Sequence, residues 1–202
     1  MPTMASPPPR PAPPAPTADQ ILDIAERLAQ TRGFNGFSYA DISEEIGLTT
    51  ATLHYHFRTK AELGRRLIAR YAENFGNALD RITARHGRPH EQLSDYVQLY
   101  AEVLRDHRMC LCGMLAAEYT TLPNPMREEI RSFFDANEAW LGVVAEAGRS
   151  DGSLSFEGSA RDAARLLVAA LEGAMLVARS FDDVSRFHVA SDRLLDDLRS
   201  TP

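Results

Sequence analysis

A chain of 202 residues, 44% hydrophobic and 25% charged, is long enough to bury a sizeable core and has the composition of a globular protein. No apolar run approaches the ~18 residues that cross a bilayer, and no charged start precedes an apolar block, so neither a membrane span nor a secretory leader is expected. The net charge of −6 argues against a generic polyanion binder, and the only two cysteines, Cys110 and Cys112, are too close to staple a fold, which points to a reducing cytoplasm.

Residues 1–16 hold eight of the twelve prolines and a single charge, Arg10, a composition that predicts a disordered, extended tail. From Thr17 onward, helix starts recur with capping chemistry: Thr17-x-x-Gln20, Ser38-x-x-Asp41, Thr59-x-x-Glu62 and Ser159-x-x-Asp162 each set a hydroxyl three residues before an acid or amide. Asn124-Pro125 offers a further start, with Asn124 as cap. Apolar residues follow at helical spacing, as in Leu67, Tyr71, Phe75, Leu79 and Ile82, and no sustained strand-like alternation appears. About nine helices fit, near 17–33, 38–46, 50–56, 60–86, 89–107, 112–121, 124–149, 159–182 and 184–199. The expected fold is all-α.

The second and third of these, joined by Gly47-Leu48, make a helix-turn-helix. Gly47 can take the positive φ that ends one helix, Leu48 plugs the turn, and Thr49 or Thr50 caps the next. His54 and His56 stand two residues apart and so point ~200° away from each other on a helix, which removes a shared metal site. With Leu53 and Phe57 inward, the outward arc holds Thr50, Ala51, His54 and Tyr55, groups suited to base edges. The charge distribution agrees. Residues 71–202 carry 21 acidic and 14 basic side chains, but within 49–70 Arg58, Lys60 (the only lysine), Arg65, Arg66 and Arg70 face Glu62 alone. A local cationic patch on an acidic molecule suits a defined anionic contact. A plain solvated helix in a bundle is the simpler alternative.

Residues 17–63 resemble the DNA-binding domain of the TetR family of transcriptional regulators, through Ile21 and Ala25, Gly33-Phe34, Asp41-Ile42, Gly47-Leu48, Thr52-Leu53, His56-Phe57, Lys60 and Leu63. The chain departs from the family pattern at Phe37, Thr50 and His54, where threonine, lysine and tyrosine are usual. The resemblance implies a homodimer on a palindromic double-stranded operator, released by a small-molecule effector, with residues 64–202 forming the effector-binding and dimerisation domain. It also implies that Ser38, His54, His56 and Lys60 hold phosphates while Thr50, Ala51 and Tyr55 meet bases, with Thr49 at the edge of the same surface. His56 has a second reading, as a histidine bonded within the fold. The last two helices would build the dimer interface.

In the middle of the chain, Tyr100, Met114 and Phe134 belong to a soft, aromatic set that reads as core or as effector pocket. Glu118 reads as a polar anchor for a ligand or as a surface residue. Cys110 and Cys112 have three readings: inert buried thiols, an electrophile or oxidant sensor activated by Arg105, His107, Arg108 and a helix start, or metal ligands with His107. The resemblance favours the second over the third, because some electrophile-responsive members of the family carry a reactive cysteine in this region. A cysteine-dependent enzyme would need a base and an oxyanion site beside these thiols, and no such motif is present. The expectation is a regulator without enzymatic activity, cofactor or metal.

Overall fold

The computed structural model describes residues 18–199, so the proline-rich segment and Thr17 lie outside the described residues. In chain order the elements are α1 (Ala18–Arg32), α2 (Tyr39–Ile46), α3 (Thr50–His56), α4 (Lys60–Arg85), α5 (Pro89–Arg105), α6 (Leu111–Ala117), a 3-10 turn (Tyr119–Thr121), α7 (Asn124–Asp151), α8 (Ala160–Ser180) and α9 (Val184–Leu198). Among the described residues the only extended pairing is an isolated bridge between Leu154 and Arg199.

The caps form largely as the sequence dictates. Thr59 Oγ1 accepts from the Glu62 amide at 3.1 Å, and Ser159 Oγ accepts from the Asp162 amide at 3.1 Å. Gly47 ends α2 at φ 73°, a conformation that costs a side-chain-bearing residue steric strain. Two expectations shift. Asn124 is the first residue of α7 rather than its cap, because Pro123, fixed near φ −60°, already supplies the extended residue ahead of it. The helix expected over 112–121 breaks at Glu118, whose backbone leaves the helix while its side chain serves another element.

Helices α1 to α3 close around Ile21, Ala25, Leu28, Phe34, Phe37, Ile42, Leu53 and Phe57, all buried. Each such large side chain contributes roughly 1.5–3 kcal/mol by leaving water. Leu63, Leu67 and Ile68 of α4 continue that core into the second domain, where α7, α8 and α9 pack in sequence and α6 lies between α1, α4 and α7. A 26-residue α4 is ~39 Å long and so spans both domains. On α8 and α9, Leu166, Leu176, Val177, Phe181 and Val189 remain exposed, which leaves this pair with an uncovered apolar face.

Candidate nucleic-acid interface and ligand-domain core

The outward arc of α3 is built as expected. Leu53 anchors the helix at 1% exposure, while Thr50, Ala51 and His54 are exposed and Tyr55 reaches 85%. Thr49 caps the helix through the Thr52 amide. Its far end is held by a residue the sequence reading missed. Tyr39 donates from its hydroxyl to the Phe57 carbonyl at 2.9 Å and sets its ring, tilted by 57°, against His54 at 4.7 Å. Burial and, secondarily, the Glu62 charge push that phenol up to about 12, so it stays a donor. His54 donates from Nδ1 to the Arg58 carbonyl at 3.2 Å, leaving Nε2 for an external partner. His56 is half-buried with its ring edge-on to Tyr55. Ser38 turns both its amide and its hydroxyl to Asp41 Oδ2, at 2.7 and 2.6 Å, and these bonds hold the exposed Asp41 carboxyl below its ordinary value.

Lys60 requires a correction. Its ammonium donates to the carbonyls of Phe34 and Phe37 and lies over both rings, 4.6 and 4.4 Å from the centroids. The side chain is half-buried and desolvation lowers its pKa. A charge so committed stitches the turn after α1 to the start of α4 and is not held out toward phosphates. Arg70 is likewise internal, bonded to Asp23 at 2.7 Å and Glu26 at 3.1 Å. The cationic surface beside α3 therefore reduces chiefly to the exposed Arg58, Arg65 and Arg66, of which Arg65 has Glu129 3.9 Å away.

Glu118 is corrected as well: it serves the junction between domains. Its carboxylate accepts from the Phe34 amide at 2.6 Å and the Asn35 amide at 3.2 Å. Gly33 makes room, since at φ 81° a Cβ there would sit 2.7 Å from Glu118 Oε1. From the other side Arg179 of α8 donates to the Gln30 carbonyl at 3.0 Å and to the Thr31 carbonyl, two of the unpaired acceptors at the end of α1. Met114 sulfur accepts from the same guanidinium at 3.3 Å, and Arg108 reaches the buried Gln30 side chain at 3.3 Å. A cation at a helix C-terminus and an anion on the amides beyond it are both the favoured signs. Beside this clamp lies a cavity of about 250 Å³ lined by Leu104, His107, Arg108 and Arg179.

The remaining candidates lie deeper. Cys110 and Cys112 are both buried, at 2% and 0% exposure. Burial first, and the Glu172 charge second, push both thiols well above their usual range. Of the three readings of these thiols, burial agrees with the inert one: Arg105, His107 and Arg108 point to the surface or the α1 clamp while the thiols turn into the core. Tyr100 joins the two cysteines and Glu172, its hydroxyl 3.1 Å from that of Tyr96, which donates to Asn137 at 3.0 Å. Phe134 sits apart, against Phe133. Glu172 is the member that sequence reading missed. Among the described residues no group of three or more His, Cys, Asp or Glu side chains is gathered to hold a metal.

An exposed recognition helix on a three-helix domain, tied to a larger helical domain with a polar core, defines a ligand-domain-bearing helix-turn-helix regulator. Residues 21–67 match the model of bacterial regulatory proteins of the tetR family, and residues 89–194 match the tetracyclin repressor-like C-terminal domain. A TetR family transcriptional regulator from Agrobacterium tumefaciens is 34% identical, superposes with a TM-score of 0.88, and covers 91% of this chain and 97% of its own. A TetR regulator from Legionella pneumophila is 26% identical at TM-score 0.84, covering 92% and 98%. The Escherichia coli transcriptional repressor NemR is 25% identical over 173 residues, which are 82% of this chain and 87% of that protein. The chain belongs to the TetR family and is a DNA-binding transcriptional regulator.

Proposed function

We propose that the protein acts in the cytoplasm as a homodimeric repressor, without enzymatic activity, released from a palindromic operator by a small-molecule effector. The observation that carries the DNA side is Tyr55, 85% exposed in the last turn of α3, one turn on from Ala51. An aromatic ring held in water by a well-anchored helix has no structural use there, whereas it suits a thymine methyl or a base edge. Thr49, His54, His56 and Arg58 are its phosphate contacts that set register, whereas Ser38, with both donors on Asp41, joins them only if that capping pair opens. The uncovered face of α8 and α9 supports dimerisation, which doubles a short readout and sets two α3 helices ~34 Å apart in successive major grooves.

Effector release follows from the clamp on α1. Its acidic and basic halves, Glu118 and Arg179, come from the end of α6 and from α8, so a ligand that parts those two helices pulls on the helix packed beneath α2. The effector then favours a spacing that DNA disfavours, and linkage makes the two ligands mutually antagonistic. Selection from a random duplex pool should enrich an inverted repeat. Tyr55→Ala should change which bases are enriched and leave the repeat spacing intact. No enrichment with the full chain, or identical sequences from both proteins, would remove this reading.

A further inference from the structure

The core of the ligand domain contains one ionisable group that its own fold leaves incompletely satisfied. Glu172 lies on α8 with part of its stem at the surface, but its Oε1 is sealed from solvent and has no hydrogen-bond partner. Its other oxygen presses on α6, only 2.2 Å from where a Cβ of Gly113 would stand. The groups that face it are Cys110 and Cys112 at the start of α6, Tyr71 on α4, and Tyr96 and Tyr100 on α5. None of these is a cation, and the one donor turned to the carboxyl is the Cys110 thiol, a weak one for a buried acceptor. The rings around the site form a continuous aromatic wall, with Phe75 against Tyr96 at 6.0 Å and Tyr100 at 6.1 Å, and Tyr71 against Phe75 at 6.2 Å.

We propose that Glu172 is the recognition group of the effector site and that the effector is an organic cation of the arylalkylamine class. Its charged nitrogen sits on the open carboxylate oxygen and its apolar part lies among these rings. This rests on the effector-release reading and names the chemistry of the ligand. A carboxylate excludes anions, and aromatic faces add attraction for a cation that they do not offer a neutral alcohol. The acidic balance of residues 71–202, 21 acids against 14 bases, draws cations toward the domain. Burial holds Glu172 up to about 7, so near neutral pH the site rests partly protonated and a cation would displace that proton. Gly113 fixes where the carboxyl rests, because only its missing side chain lets the carboxyl lie against α6, and an amine would draw it out of that place. Glu172 and Arg179 stand two helical turns apart on one face of α8, so displacing the first from α6 moves the second at α1.

The test is calorimetric titration of the full chain with benzylamine, 2-phenylethylamine and 3-phenylpropylamine, against 2-phenylethanol and 3-phenylpropionate. At least one amine should bind about tenfold or more tighter than the alcohol, with no binding of the carboxylate. At pH 7, buffers of different ionisation enthalpy should reveal release of roughly half a proton per amine bound, since the carboxyl titrates near about 7. Glu172→Gln, near-isosteric, should lose both the preference and the proton release. Should it melt early, Gly113→Ala, which crowds the carboxylate from α6, should weaken amine binding in its place. The idea is overturned if no amine binds, if amine and alcohol bind alike, or if both variants keep the preference. Selected operator DNA separates the two readings. Glu172-dependent amine binding that leaves DNA bound upholds the site and removes effector release. Equal release of the wild type and Glu172→Gln by a neutral compound upholds release and removes the cation site.

Discussion

The recognition helix and the core around Glu172 solve opposite problems with the same kinds of side chain. On α3, Tyr55 and His54 stay in water, and their positions are fixed by Thr49, Leu53 and Arg58 close by in sequence and by Tyr39 from the neighbouring helix. In the second domain, Tyr71, Tyr100, Cys110 and Glu172 are turned inward from four different parts of the chain, and burial first, then the charges of Cys110 and Glu172, raises the two phenols. A surface that reads a partner can be positioned within one short helical domain. A polar core requires the whole domain to assemble, and burial then sets its charge state. The contrast sets an exposed polar surface against a buried polar core, two very different dielectric environments.

The largest expected effect comes from the buried side. Glu172 is raised from 4.5 to about 7 in the folded protein, so between those values the native state holds a proton that the unfolded chain has lost. Stability from this group therefore falls as pH rises from about 4.5 to about 7, on the order of a few kcal/mol at most. Urea unfolding should show the wild type losing stability between pH 5 and pH 8 relative to Glu172→Gln. Parallel pH profiles would place the carboxyl in water and abolish the contrast.

A smaller effect should separate two cations on the reading side. Lys60→Ala removes a charge held over two rings and two carbonyls, so it should cost about 1–2 kcal/mol of stability while leaving the salt dependence of DNA binding unchanged. Arg58→Ala should do the reverse, leaving the melting temperature within a degree or two and flattening the salt slope by about one unit. A flattened slope for Lys60→Ala would return that residue to the phosphates. Smallest of all should be the response of the native protein to N-ethylmaleimide. Cys110 and Cys112 should label only as the domain opens, far more slowly than in urea, because the thiols are sealed and their pKa values are raised. Rapid native labelling would restore the sensing role that burial argues against.

Helix boundaries, most of the caps and the outward arc of α3 were legible in the sequence because each depends on residues within a turn or two of one another. The role of Lys60 was not, since its carbonyl partners lie 26 and 23 positions earlier. Glu118 was read as a ligand anchor or a solvated acid because its amide partner is 84 positions away, beyond any periodicity. The inert reading of the thiols could be made from sequence, but their true neighbour could not: Arg105, His107 and Arg108 are near in sequence and turned away, while Glu172, 62 positions on from Cys110, faces them. Glu172 itself sits in a run of apolar residues, Leu166 to Leu171, where one acid every few turns looks like the wet face of a helix.

The reach of Arg179 to the Thr31 carbonyl, across 148 residues, also bears on how the protein is made. A ribosome adding about 5–20 residues per second leaves the end of α1 without that partner for roughly 7–30 seconds after it emerges. During that interval the DNA-binding domain is complete in sequence but its first helix is still open at the terminus nearest the junction. The nascent regulator thus gains a finished DNA-binding domain only after the penultimate helix of its ligand domain has docked, so a chain broken off earlier carries the reading surface on an unfinished support.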